Sequence, residues 1–468
     1  MSTKKQIVLD SQPSVFPNFP HAVKAEGLIF LSGVRSSQNQ NSSRQFSDIP
    51  YPGHEKKQGF PLADHLEGKV AHDSWFTHQN LDAILEAGGS GGDQILRQHI
   101  WQTDKRFFPV YQNIRQVLQK EPAPSSGLGV SKIFKETNDT IGIDAIAVCP
   151  GENPNFSGRE VVVTFDDQKM PAASFYSQAV RSGPLVFTAG HIPIKTSDEG
   201  KPLVNSFDDI PSEGRFLETG QSHPDSRDGP IAAQSWYVYN ELRRTLANQG
   251  LDLSDTINST VFLADVKDFP TFHRIHQHFF PDMNTALTVS GFDEVGHRGC
   301  LIEIELTASK NQKNFKKFTT DWPINKPFCA PASVSVGNFI FYSGILGIDK
   351  NCRIASSPKD FDVAPRVPED LHTLQKDNSD IIYQTLAAIN LLSQTSQDAS
   401  SSINDLVKIT LYLRNSEHFF IFERILLDLV PHEKLPAIEC VVIPSPGPIP
   451  ESLIQIEAIG INSKFNNN

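Results

Sequence analysis

The sequence contains no apolar run near the ~20 residues that a membrane-spanning helix needs. It begins Met-Ser-Thr-Lys-Lys-Gln, with only Ile-Val-Leu before Asp10, too little for the apolar core of a signal peptide. Cysteine is scarce: five in 468 residues, at positions 149, 300, 329, 352 and 440. An odd, widely spaced set gives neither a disulfide ladder nor a CxxC metal clip. It points to a reducing cytoplasm, with these thiols as small core groups. Positive charge is also short, since 42 Lys and Arg face 54 Asp and Glu, for a net charge of −12. A large nucleic-acid footprint, which needs a basic stripe, is thereby disfavoured. The catalytic signature His-Glu-x-x-His is absent, and the Gly-x-Ser-x-Gly spacing occurs inside the glycine run at 88–92, with no strand-to-helix elbow around it. Gly88-Gly89-Ser90-Gly91-Gly92 follows a helical stretch instead of opening one, so it reads as a cap and turn, not a phosphate cradle.

What is present is enough apolar residue, 38%, for several packed cores, in a length suited to two to four domains. The chain repeats itself three times. Strand-like runs at 27–33, 183–190 and 337–344 each end on a glycine: Gly33, Gly190 and Gly344, spaced 157 and then 154 residues apart. Each is followed by a helical stretch (73–87, 232–248, 380–393), then a β-rich run, a short second helix (107–118, 269–280, 418–429) and a closing strand. The closing strands read Ile-Gly-Ile-Asp at 141–144, Ile-Glu-Ile-Glu at 302–305 and Ile-Gln-Ile-Glu at 454–457. Three domains are therefore expected at 7–152, 171–310 and 327–465. Long insertions at 36–69, 195–229 and 352–378, rich in Ser, Asp, Pro and Gly, read as functional loops.

The stretch from Phe175 through Gly190-His191-Ile192-Pro193, with 261–269 and 302–305, resembles the YjgF/Rid family of reactive intermediate deaminases. The first copy, around Phe19-Pro-His-Ala-Val-Lys-Ala-Glu-Gly27, looks most like the 2-aminomuconate deaminase branch; the third is a weaker match. The resemblance implies an α/β (α+β) fold of three chorismate-mutase-like units, each a mixed sheet with two helices on one face. Family members form trimers through their sheets, so three copies in one chain imply an internal pseudo-trimer. That leaves a monomer, or a further homodimer, with a small-molecule site at each interface. Fusion removes the association entropy that a free trimer must overcome.

The resemblance also implies site residues. The family Arg that grips a substrate carboxylate aligns with Pro124, Ala286 and Ile438, so it is missing from all three copies. The carboxylate for acid–base work is Glu303 in the second copy, where Gly142 and Gln455 stand in the others. Tyr176 keeps an aromatic hydroxyl. Ser32 and Ser343 keep a small hydroxyl, where the middle copy has Ala189. A second-helix position aligns with Tyr111, His273 and Glu423. The catalytic candidates are thus Glu303, Tyr176 and His273. The substrate-binding candidates are Ser32, Ser343, Tyr111, Glu423 and Gln455. His273, His276 and His278 read as surface histidines, and no metal or cofactor is implied. The expected activity is acid–base hydrolysis or cyclisation of an enamine, imine or related unsaturated small molecule. The alternative is a non-catalytic ligand-binding or regulatory protein. A ribonuclease reading runs against the acidic charge balance.

Overall fold

The computed structural model describes residues 4–38, 45–50, 67–134, 138–169, 175–196, 198, 200, 202–218, 228–282, 284–310, 316–318 and 330–462. Three mixed sheets follow one another along the chain, each with its own pair of helices. The first unit carries the opening hairpin Ala22–Ala25 and Leu28–Leu31, helix α1 (Lys69–Ala87), the long strand Ile95–Gln102, helix α2 (Phe108–Leu118), a parallel strand Ser125–Gly129 and the closing strand Ile141–Val148. The second repeats this order. It has a hairpin (Ala179–Ser182, Leu185–Thr188), α3 (Asp228–Ala247), Thr256–Leu263, α4 (Phe269–Phe279), Ala286–Gly291 and Ile302–Ser309. The third has Ser333–Val336 and Phe339–Tyr342, α5 (Gln375–Asp398), Leu406–Leu413, α6 (His418–Leu429), Ala437–Val442 and Ile454–Ile461.

Local sequence explains the element ends. α2 and α4 both begin Phe-Pro, where proline's fixed φ suits the first helical turn and its missing N–H costs nothing. The turns before them are capped by Asp104 and Asp265, whose carboxylates accept from the backbone N–H of Arg106 and Lys267.

The period of two in the closing strands divides the core. Ile302, Ile304 and Leu306 join the second unit's own helix-facing core, with Trp236 and Phe272. Glu303, Glu305 and Thr307 point the other way, toward the neighbouring units. The same split holds in the first unit, with Ile141 and Ile143 against Gly142 and Asp144, and in the third, with Ile454 and Ile456 against Gln455 and Glu457.

Three backbone hydrogen bonds fix how the units close on one another. The N–H of Gly190 donates to Ser125 O (3.3 Å), that of Gly344 to Leu287 O (3.0 Å) and that of Gly33 to Ile438 O (2.9 Å). Each unit thus lays its parallel strand against the opening strand of the next, in the cyclic order first, second, third, first. Apolar side chains from all three units form a layer at each end of the axis. One includes Phe30, Phe187 and Phe341; the other includes Trp101, Phe262 and Tyr412.

Two alignments need correction. The three hydrogen bonds equate Ser125, Leu287 and Ile438, one residue later than Pro124 and Ala286; arginine stands at none of these positions. The residues just past the helices donate to Arg115, His276 and Leu426, which makes these equivalent. Tyr111 therefore matches Phe272, not His273, and it is fully buried in the first unit's core. His276 is no surface histidine either. It is buried, with Nδ1 2.7 Å from Tyr239 Oη, and burial lowers its pKa to about 3.

Candidate functional site

The three interfaces are built from equivalent strands and hold different chemistry. Where the third unit meets the first, Gly142 stands at the acid position, and the space is taken by Arg35. Its guanidinium makes a bidentate pair with Glu439, 2.6 and 3.1 Å, both side chains fully buried. A Cβ on Gly142 would lie 2.5 Å from Arg35 Nη1, so the glycine makes room for the pair. Where the second unit meets the third, Gln455 Oε1 accepts from Ser290 Oγ (2.6 Å), and its amide donates to Val289 O (3.3 Å). Ser32 and Ser343 lie at these two interfaces and act as fasteners. Each donates to its own chain at Pro20 O or Pro331 O (2.6 Å each) and accepts from the neighbour's Ile438 or Leu287 N–H (2.9 Å each).

The interface between the first and second units lacks that fastener, because Ala189 replaces the serine. Here lies Glu303, on the closing strand of the second unit and 3% exposed. Its Oε2 accepts from the Gly296 N–H at 3.0 Å, and Gly190 leaves its other oxygen room that a Cβ would fill. Burial pushes its carboxyl up to about 7, against the pull of nearby Lys105. Lys105 comes from the first unit, in the turn before α2. Its ammonium donates to the carbonyls of Gly127 in its own unit and Gly296 in the second (2.6 Å). Burial lowers the Lys105 pKa, while Glu303 opposes that shift. Gly296, at φ +50, thus holds both groups, its N–H on the acid and its C=O on the amine. A Cβ there would fall within 2.9 Å of Cys300 Sγ.

Tyr176 is half-buried beside this pair. Burial raises its pKa, and the charge of Glu303 adds to the shift. Its ring also borders a small cavity of about 20 Å³ with Gln178, His191 and Glu241. His273 sits half-buried against the Phe269 ring, on α4, across the sheet from Glu303. The cyclic order makes α2 the neighbouring helix at the Glu303 interface, so neither His273 nor Glu423 on α6 is the closing group there. Tyr111, on α2, is held inside its own unit by Gln98 Nε2 (2.8 Å) and His78 Nε2 (3.3 Å).

Sequence reasoning missed Lys105. The signal was available in the repeat: after Asp104, Asp265 and Asn415, the three copies read Lys105, Val266 and Ser416. The one copy with a cation there faces the one unit that carries the acid.

A carboxyl poised near neutrality beside a lysine and a phenol can give and take protons on a bound small molecule. The chain is similar to several known proteins. The family profile described as Endoribonuclease L-PSP matches residues 212–310. The RutC family protein PH0854 of Pyrococcus horikoshii is 27% identical over 135 residues, covering 29% of this chain and 86% of that protein. The 2-iminobutanoate/2-iminopropanoate deaminase of Escherichia coli K12 is 25% identical over 146 residues, covering 31% of this chain and 94% of that protein. A solved structure from Klebsiella pneumoniae, described as a candidate endoribonuclease, is 34% identical, covering 29% of this chain and 98% of its own, with a TM-score of 0.26. On these matches the chain belongs to the YjgF/Rid family.

Proposed function

We propose that the chain is a cytosolic enzyme with one working site, at the interface of the first and second units. It acts on an imine, enamine or related unsaturated small molecule by acid–base catalysis, hydrolysing or cyclising it. The observation that carries this reading is that Glu303 from one unit and Lys105 from the next meet on the same peptide group, Gly296, at one interface of three. Glu303 gives or takes the proton. Tyr176 donates a hydrogen bond to the substrate. Lys105 supplies positive charge that stabilises the Glu303 carboxylate whenever it forms.

The test is turnover of an imine generated in situ from an amino acid by an oxidase. Glu303→Gln should lower kcat ~100-fold or more, the usual range for losing a general acid or base, with the fold intact. Unchanged turnover in that variant overturns the assignment. The second reading, a ligand-binding protein without catalysis, draws on the two interfaces filled by their own side chains. It predicts ligand binding that survives Glu303→Gln and no turnover in either protein. Steeply salt-dependent RNA binding would revive the ribonuclease reading.

A further inference from the structure

The first helices of the three units can be superposed by their hydrogen bonds. Asp73, Gln234 and Gln384 each accept, through a side-chain oxygen, from the backbone N–H just before or at the start of the closing strand: Thr140, Leu301 and Leu453. At the other end of the helix, the N–H groups of Ser90, Leu251 and Ser401 donate to Leu85, Leu246 and Ser396. Both sets of bonds give the same register.

In that register, the pair two and three residues after the anchor reads Trp75-Phe76 in the first unit, Trp236-Tyr237 in the second and Leu386-Ala387 in the third. The two tryptophans are buried. In the second unit the insertion closes directly over the indole: a Cβ on Gly214 would lie 2.6 Å from Trp236 Cδ2. Tyr237 Oη donates to the Ile194 carbonyl at 3.1 Å.

The third unit keeps the same surroundings. Its insertion has the same capped turn, Ser357 to Asp360, as Ser206 to Asp209 in the second. The two aromatic rings are missing, and a cavity of about 550 Å³ stands in their place. Leu386 and Ala387 form its floor beside Ile348 and Phe361, with the amides of Asn390 and Gln394 on its wall. Ile348 is the counterpart of Ile194, each donating its N–H two residues back, to Leu346 O and Ile192 O. Ala387 has no group to make the bond that Tyr237 makes to Ile194. The acids at the rim are already engaged: Asp349 with Arg353, Asp360 with the N–H groups of Ser356 and Ser357, and Asp362 with Lys350.

The cavity therefore stands where the aromatic pair stands in the sister units, with the Ile348 carbonyl at the place where a phenol finds its acceptor in one of them; its rim acids are engaged, and Arg366 lies on its lining. We propose that it is a binding site for a planar aromatic molecule with one hydrogen-bond donor, of the phenol or indole kind. Its volume lies in the ~300–1,000 Å³ range of small-molecule pockets. Apolar cavities left by missing side chains do take up aromatic ligands. The site is on the outer, helix-bearing side of the third unit and is separate from Glu303.

The test is titration of the full chain with indole, followed calorimetrically and by the methyl resonances of labelled leucines. Saturable binding with shifts at Leu386 and Leu429, which line the cavity, supports the site. Leu386→Trp combined with Ala387→Tyr restores the sister units' side chains and should weaken indole binding at least tenfold, with turnover at the Glu303 site unchanged. Absence of saturable binding to the unaltered protein, shifts confined to other leucines, or equal affinity in the refilled variant each overturn the proposal. The methyl shifts in the unaltered protein decide the matter even if the double variant does not fold.

Discussion

A single carboxyl group, that of Glu303, carries both a cost and a use. Its carboxyl rises from 4.5 to about 7 in the folded protein, so the folded state binds the proton more tightly than the unfolded chain. The penalty is absent below pH ~4.5, grows as pH rises and is complete above pH ~7, where it reaches ~3 kcal/mol. Glu303→Gln should therefore be as stable as the unaltered protein at pH 4.5 and more stable at pH 8, while losing turnover; chemical denaturation at the two pH values measures this. Lys105→Met removes the nearest cation. The Glu303 carboxyl should then rise further, and the pH–rate profile should shift to higher pH. An unmoved profile would mean that Lys105 acts only as a strut between two carbonyls. Glu303, Gln455 and Gly142 were legible in the sequence because a strand alternates strictly and its landmarks recur. Lys105 stands out in the aligned turns only as the odd cation of three; that it meets Glu303 depends on which unit lies opposite.

At the scale of elements, the strand-to-strand contact of the third and first units rests on a buried ion pair. Arg35→Met alone leaves the Glu439 carboxylate buried without its partner and should cost ~3–5 kcal/mol. The double variant Arg35→Met/Glu439→Leu should recover most of that loss in urea unfolding. If the single and double variants are equally unstable, the pair does not act as a pair. The elements themselves were readable: strands from their alternation, and α2 and α4 from Phe-Pro starts with an acidic cap. In the second helices the resemblance sets the first copy one residue out of register, which puts Tyr111 among the site groups. Anchoring on Phe108-Pro109 and Phe269-Pro270 would have placed it opposite Phe272, a core position.

At the scale of the whole molecule, the axis holds a charged layer between two apolar ones. His99 of the first unit lies 3.2 Å from Asp144 of its own unit and 3.0 Å from Glu305 of the second. Arg97 pairs with Glu305 (3.3 Å) and Lys408 of the third unit with Asp144 (2.7 Å). Glu457 accepts from Tyr412 Oη (2.8 Å) and Thr260 Oγ1 (2.9 Å). Burial works against charge on His99, but Glu305 and Asp144 overcome it and push its pKa up to about 10. The stability it contributes is full below about pH 6.5 and is lost as pH rises through about 10. His99→Gln should therefore flatten that part of the stability–pH curve and lower stability at pH 6. None of this was legible in the sequence. Arg97, His99 and Asp144 are ordinary strand residues until three sheets turn the same face inward.

That layer has a consequence for symmetry. A trimer of identical chains must place the same side chain three times around its axis, so each strand position can hold only copies of one residue. Here the equivalent strand positions carry Arg97, Asn258 and Lys408 at one level, and His99, Thr260 and Thr410 at another, in register with Asp144, Glu305 and Glu457. Acid and base can therefore be distributed unequally around the axis, so that each junction between units has its own pairs. Each unit also has one correct seat: exchanging two of them would set Lys408 or Arg97 against the wrong neighbour. The covalent order of the three units is thus written a second time, in charge, at the centre of the ring.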